Sequence, residues 1–302
     1  MRGVFFIVGP TATGKSEIAA DVAAGLDAEI VSADAFQIYR GLDLLTAKPE
    51  TGTLAKVPHH LIGTMSILDE MSAAKFRERS LVAISEIHSR GKVAIVVGGS
   101  GLYIKALTHG LSTAPAADPD LRAQLNELSL HDLQNKLLKL DPEAASKIDL
   151  KNRRRLVRVI EVCLLSEQKI SGQQKEWESD VGTNGVFVFR ERDELYERIN
   201  RRVEAMFENG VIEEARNAGV MSETASKMIG LREIRELLDG TMSILQSVAA
   251  IQQATRRYAK RQLTWFRRQT NFQPLNLTLL KHVEAAEWIS QRARQARAQG
   301  NV

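Results

Sequence analysis

The sequence predicts an α/β fold: a parallel sheet wrapped by helices and interrupted by a small all-helical domain. Three observations predict it. Short apolar runs alternate with helical patterns over the first third of the chain, as parallel strands and their crossovers do. The first run, "VFFIV", enters a glycine-rich loop that opens a helix. Residues 121 to about 180 then carry helical patterning with no convincing strand, after which "GVFVF" reads as a strand returning to the sheet.

Element by element, Val4–Val8 is apolar throughout, as expected of a strand buried on both faces. "KSEIAADVAAGL" reads as a helix closed by Gly25, and "AEIVSAD" as a second short strand. "AAKFRERSLVAISEIHSRG" has the spacing of an amphipathic helix ending at Gly91. "VAIVV" is the third strand, again followed by glycines, "GGSG". The Pro/Ala-rich "STAPAADPD", 112 to 120, reads as a linker. The expected division is a core of residues 1–113 and 184–302 and a helical insertion of residues 114–183. Beyond residue 189 only helix is expected.

Of the 302 residues 44% are apolar, enough for a sizeable core, and 26% are charged. Net charge is only +4 although the pI is about 9.2, so the arrangement of charge matters more than its sum. The single cysteine, Cys163, excludes a disulfide framework or a cysteine-based metal site. It lies in the apolar helical pattern "VIEVCLL" and reads as core. No apolar run reaches the roughly 18 residues of a membrane span, and the start lacks the pattern of a signal peptide. The expectation is a soluble cytoplasmic protein.

The loop after the first strand is the strongest signal. Gly9, Pro10, Thr11, Ala12, Thr13, Gly14, Lys15 and Ser16 fit G-x-x-x-x-G-K-[ST] in full, between a strand and a helix. Glycines let backbone N–H groups turn inward around phosphate oxygens, and the helix N-terminus adds a favourable dipole. Lys15 supplies charge, and the Ser16 hydroxyl can ligate Mg²⁺. Any diphosphate or triphosphate satisfies this motif.

Ligands of open parallel sheets gather at the carboxyl ends of the strands, so the P-loop, Asp34 and "GGSG" should converge. Asp34 is a candidate general base or magnesium ligand, or else a turn aspartate capping a helix. Ser100 either touches a ligand or caps the helix that follows. Lys48 reads as solvated, and the adjacent His59 and His60 as packing or loop hydrogen bonding.

Two basic stretches remain. "NRRRLVR" places Arg153, Arg154, Arg155 and Arg158 in seven residues without a nearby acid, while Leu156, Val159, Ile160 and Cys163 follow helical spacing. An anionic partner is preferred over a solvated face. "IQQATRRYAKRQLTWFRRQ" contains no acid. Arg256, Arg257, Lys260, Arg261, Arg267 and Arg268 fall on one side of a helix, and Ile244, Val248, Ile251, Tyr258 and Trp265 on the other. Such stripes suit phosphate backbones.

"GPTATGKS", "ADAFQIYRGLDLLTAKP", "HHLIG", "VGGSGLYIKAL", "NRRRLVRVIEV" and "YAKRQLTWFRR" occur in that order over residues 3 to 275. Together they resemble the tRNA dimethylallyltransferases, or tRNA isopentenyltransferases, of bacterial type. The resemblance implies a P-loop NTPase-like core and an insertion domain that contacts tRNA. It implies transfer of a dimethylallyl group from dimethylallyl diphosphate to N6 of adenosine 37 in tRNA, assisted by Mg²⁺, by an enzyme expected to be a monomer. By position, Asp34 matches the proposed general base and Ser100 a threonine contacting the reacting groups. Gly9 to Ser16 match the donor loop, Lys15 stabilising the leaving diphosphate. Asp34, Ala35, Phe36 and Gln37 match the segment that reads the target base. Arg154, Arg155, Leu156, Val157 and Arg158 match a tRNA-contacting stretch, Arg122 a further tRNA contact, and Arg192 and Arg198 arginines near the donor site. The chain departs from the pattern at Ala35, Gly63, Leu231 and Arg232. Two other readings stand beside this one: a small-molecule kinase, or a related enzyme prenylating free adenosine monophosphate, on the same core, and a non-catalytic RNA-binding protein.

Overall fold

A computed structural model describes residues 3–111, 114–166, 169–171, 184–269 and 271–299. The chain falls into two compact units, Met1–Thr108 with Val181–Val302, and His109–Asp180. The first unit begins with β1 (Val4–Val8), α1 (Lys15–Ala24), β2 (Ala28–Ala33), α2 (Thr51–Leu54) and β3 (His59–His60). It continues with α3 (Ala73–Ser89), β4 (Val93–Gly98) and α4 (Gly101–Thr108). The second unit holds α5 (Pro119–Glu127), α6 (Leu130–Leu140), α7 (Pro142–Lys147) and α8 (Arg153–Ser166). The chain then returns to the first unit with β5 (Asn184–Phe189), α9 (Arg192–Glu208), α10 (Val211–Arg216) and α11 (Leu231–Leu238). It ends with α12 (Ile244–Phe266), β6 (Gln273–Asn276) and α13 (His282–Ala298).

The six strands form one parallel sheet in the order β3-β2-β4-β1-β5-β6. Strand periodicity sorts its side chains. Val4, Phe6 and Val8 of β1 join the core under α3, α4 and α9 to α12, whereas Phe5 and Ile7 join the core under α1 and α13. Both faces are therefore covered, which is why β1 is apolar at every position. Because all strands run one way, their carboxyl ends share an edge. The P-loop, Asp34, Gly98 to Ser100 and Arg190 follow β1, β2, β4 and β5 and meet there.

Two strands depart from the sequence reading. His59 and His60 form an edge strand, pairing with Ile30 and Val31. No apolar run announces it, because its polar rings are used for hydrogen bonds: His59 Nδ1 with the Val57 carbonyl, His60 Nε2 with Glu29, each at 2.8 Å. The segment after residue 189 is not wholly helical either, since β6, "QPLN", closes the other edge against β5. Pro274 is tolerated at an edge, and only Leu275 of the four is buried.

Glu29 is 3% exposed and anchors the strand start. Arg90 donates to both its oxygens, at 3.1 and 2.7 Å. The Arg90 hydrogen bond, against the cost of burial and with help from His60, pulls the Glu29 carboxyl down to about 2.

In the second unit, Asp118, Ser129 and Asp141 cap α5, α6 and α7 with side-chain oxygens. Leu125, Leu133, Leu137, Leu156, Val157 and Ile160 make its core. The expected linker and domain boundaries fall partly on residues 112, 113 and 172–183, which lie outside the described residues.

Candidate active site

In the phosphate loop the carbonyls of Pro10, Ala12 and Thr13 accept hydrogen bonds, and the N–H groups of Gly9 and Thr11 are engaged. Pro10 carbonyl accepts from Thr13 Oγ1 at 3.0 Å and from Lys15 Nζ at 3.2 Å. Ala12 carbonyl accepts from Arg198 Nε and Thr13 carbonyl from Arg190 Nε, both at 2.8 Å. Gly9 donates to Gly98 carbonyl at 3.2 Å, tying the loop to the end of β4. Gly14 adopts φ +86°, and an added Cβ there would lie 3.3 Å from an Arg198 nitrogen. A side chain is disfavoured by that left-handed conformation. The N-terminus of α1 is left facing an open cleft, ready for an anion.

That cleft encloses about 460 Å³. Lys15, Ser16, Asp34, Gln37, Arg198 and Arg202 are among its lining residues, so the phosphate loop and the Asp34 turn meet there, while "GGSG" is absent from the lining and joins them through hydrogen bonds of Gly98 and Ser100. Burial pushes the Lys15 ammonium below the ordinary lysine value, with the Asp34 carboxylate working against that shift. Burial likewise lowers Arg202, to about 10, again opposed by Asp34. Arg202 Nε is buried without a hydrogen-bond partner among the described residues. A buried guanidinium donor left unmet is a place for an anionic acceptor.

Asp34 takes the turn-capping role that the sequence offered and keeps one oxygen free of it. Its Oδ1 accepts from the N–H groups of Phe36 and Gln37 at 2.9 and 3.2 Å, which caps the turn after β2. Oδ2 has no hydrogen-bond partner among the described residues. Ser100 does not cap α4 with its side chain; its hydroxyl accepts from Ala35 N–H at 3.1 Å. Gln37 donates to Ala47 carbonyl at 2.9 Å, so the following loop fixes its amide. That loop is pinned in turn. Glu214 accepts from Leu44 and Leu45 N–H groups at 2.9 and 2.8 Å. Lys48, expected to be solvated, is 7% exposed at its side chain. It donates to the carbonyls of Tyr39 and Gly41 and pairs with Asp43.

Of the two arginines expected near the donor, Arg198 lines the cleft, whereas Arg192 stacks on Tyr196 at 5.2 Å and is absent from its lining. The sequence reading missed Arg190 and Arg202. Arg202 was within reach of it: four residues after Arg198, it occupies the same face of α9. Arg190 carries no such signal, since nothing in "FRER" says which guanidinium folds back on the loop.

The basic stretches sort differently from expectation. Glu161, fully buried, is the acid that the reading of "NRRRLVR" overlooked. It accepts from Arg122 at 2.8 and 3.0 Å and from Arg158 at 2.6 Å. Burial works against ionisation of Glu161, but these two guanidinium groups hold its carboxyl below the usual range. Arg153 caps the carbonyls of Asn126 and Leu128, both at 2.6 Å. Leu156 and Val157 are 0% and 5% exposed, so their side chains hold the insertion together rather than face a ligand. Of the four arginines in the stretch only Arg154 and Arg155 are exposed, with guanidinium groups unpartnered among the described residues.

On α12 the buried seam is Ser247, Ile251, Thr255, Ala259, Gln262 and Phe266. Ile244, expected to be packed, is 54% exposed at the helix start. Arg257, Lys260, Arg261, Arg267 and Arg268 are exposed, while Arg256 bonds Asn200 and covers Tyr196 at 5.4 Å.

The departures from the family pattern have clear placements. Ala35 packs against the core and gives its N–H to Ser100. Gly63 adopts φ +59°, with Lys48 Nζ 3.7 Å from where its Cβ would be. Leu231 is fully buried, and exposed Arg232 pairs with Glu233.

A strand-to-helix loop that clasps anions, beside a carboxylate with one unengaged oxygen, defines a protein that handles phosphorylated ligands. The family model "IPP transferase" matches residues 37–269. The chain is 42% identical to a tRNA dimethylallyltransferase of Akkermansia muciniphila, over 87% of this chain and 90% of that one. It is also 42% identical to tRNA dimethylallyltransferase 1 of Citrifermentans bemidjiense, over 93% and 95%. A crystal structure of the full-length tRNA isopentenylpyrophosphate transferase from Bacillus halodurans superposes with TM-score 0.72 at 34% identity, covering 99% of each chain. A eukaryotic dimethylallyltransferase acting on tRNA shares the fold, with TM-score 0.82 at 23% identity over 100% of this chain and 81% of that one. The chain belongs to the IPP transferase family of tRNA dimethylallyltransferases.

Proposed function

We infer that the protein transfers the dimethylallyl group of dimethylallyl diphosphate to N6 of adenosine 37 in tRNA and releases diphosphate. The observation that carries this reading is one cleft lined by both Lys15 and Asp34. An anion-binding loop and a carboxylate base are what alkylation of a weak amine needs. The N6 lone pair is delocalised into the ring, so the amine is a poor nucleophile until its proton is taken.

In the proposed reaction Lys15, Arg202, Arg198 and the loop N–H groups bind the donor diphosphate. They stabilise the charge that grows on it as the carbon–oxygen bond breaks. The N6 electron pair forms the new bond to carbon. The N6 proton passes to Asp34 Oδ2, and the electron pair of the broken bond leaves with diphosphate. Gln37 reads the edge of an adenine flipped out of its stack, and Ser100 holds the turn beside it. Ala35 and Phe36 carry the backbone of that turn.

The Ser16 hydroxyl lines the cleft, with no internal partner among the described residues. Among them no group of three His, Cys, Asp or Glu side chains could cage a metal. This fits Mg²⁺, which keeps several waters and binds through substrate phosphates with few protein ligands. Ser16 would hold it, and it would neutralise charge on the leaving diphosphate.

The exposed Arg154 and Arg155 contact tRNA phosphates, with Arg122 and Arg158 behind them. No helix among the described residues is long and apolar enough to cross a membrane. The reading completes with a cytoplasmic enzyme acting as a monomer.

The test incubates protein, Mg²⁺ and unmodified tRNA with dimethylallyl diphosphate, and separately with ATP, before nucleosides are weighed by mass spectrometry. One dimethylallyl mass on adenosine, only with the prenyl donor, is the expected result. ADP formation on added metabolites would point to a kinase, and tRNA binding without either reaction to a non-catalytic RNA-binding protein.

A further inference from the structure

The inner face of α12 carries a buried amide that the reaction above leaves without a task. Gln262 is 6% exposed. Its Oε1 accepts from Thr11 N–H at 2.9 Å, and its Nε2 donates to Gly99 carbonyl at 2.8 Å. The Tyr258 hydroxyl, one turn earlier, faces both Gln262 and Ser100. Ser100 follows Gly99 in the chain, and its Oγ accepts from Ala35 N–H, the residue after Asp34. The phosphate loop is therefore tied through Gln262 of α12 to the loop after β4, and that loop to the turn that carries the carboxylate.

The fit is close. A Cβ on Gly99 would lie 2.3 Å from Gln262 Nε2, and one on Gly101 would lie 2.5 Å from the Trp265 ring. The helix is thus seated directly on the loop after β4. A glutamine is the side chain this junction needs, because it must accept from one backbone and donate to another. An apolar side chain of equal size would leave both groups buried and unmet. Serine lacks the branch that stiffens threonine at χ1, so its bond to Ala35 N–H and the facing Tyr258 hydroxyl set where the Ser100 hydroxyl points.

We propose that Gln262 and Tyr258 are positioning residues that fix the spacing between the donor loop and the Asp34 turn. The inference rests on the transfer reaction assigned above. Gln262 holds the donor side and Tyr258 the acceptor side. A transfer that needs nitrogen, carbon and leaving oxygen in register is sensitive to that spacing, since a misplacement near 1 Å costs about 100-fold in rate.

The test compares Gln262→Met, which keeps volume and loses both bonds, with Tyr258→Phe, which loses one oxygen. Steady-state transfer from dimethylallyl diphosphate to tRNA gives kcat and donor KM. Filter binding gives the tRNA Kd, and circular dichroism melting shows that each variant is folded at assay temperature. The wild-type protein must transfer first; if it does not, the assigned reaction fails before the positioning proposal is reached. Gln262→Met is expected to lower kcat by about 10- to 100-fold and raise donor KM, with tRNA Kd within about twofold. Tyr258→Phe is expected to lower kcat with donor KM unchanged. Folded variants with wild-type kcat and KM would overturn the proposal. So would a loss of tRNA affinity as large as the loss of kcat/KM, which would make these residues tRNA contacts instead.

Discussion

Asp34 shows how a side chain that caps a turn can still offer an oxygen to the cleft. Oδ1 closes its own turn, which fixes the carboxylate without using Oδ2. Asp34→Ala should therefore lower kcat by about 10²- to 10⁴-fold, while the tRNA Kd stays nearly constant in filter binding. An unimpaired rate would remove Asp34 as the base. Arg202→Ala should raise donor KM about 10- to 100-fold, the usual worth of a charge-assisted bond to phosphate, and should leave tRNA affinity alone. Residue identities here were partly legible in advance. The loop motif pointed to Gly14, Lys15 and Ser16, and all three line the cleft. Arg190 and Gln262 were not legible, since their partners lie 177 and 251 residues away in sequence.

At the scale of elements, apolar periodicity exposed the four strands β1, β2, β4 and β5 and hid the two edges. An edge strand buries little, so β3 and β6 are chosen for hydrogen bonding and carry no apolar run. The Glu29 cluster that supports β2 and β3 makes its own prediction. A carboxyl held near 2 rather than its ordinary 4.5 gives stability in full above 4.5, lost as pH falls toward 2. Urea melts at pH 7, 4 and 3 should show that loss in the wild type. Glu29→Gln should cost about 1–3 kcal/mol at pH 7 and flatten the acid limb. An unchanged acid limb would show that other carboxylates dominate it.

At the scale of the whole molecule, the insertion is where charge counting by sequence went astray. Arg158 and Arg122 clamp a buried carboxylate, so of the arginines in that stretch Arg154 and Arg155 are the ones left unpartnered among the described residues. Replacing those two with alanine should weaken tRNA binding and reduce the slope of log K against log salt by roughly 1.5 to 2. Glu161→Gln should instead destabilise the insertion, read as a lowered melting temperature with the donor KM unaltered. If the double alanine variant binds tRNA with unchanged affinity and slope, the arginines are simply solvated. The helix pattern alone cannot separate these cases, because burial of Glu161 depends on α5 and α8 packing around it.

The bond from Thr11 N–H to Gln262 reaches across 251 residues. A chain emerging from the ribosome folds its early segments first, yet its phosphate loop stays unfinished until α12 has been made. Truncated products would thus keep the motif and lack the shaped loop. Translation order becomes a form of quality control, in which a protein interrupted before its last helices cannot waste prenyl donor.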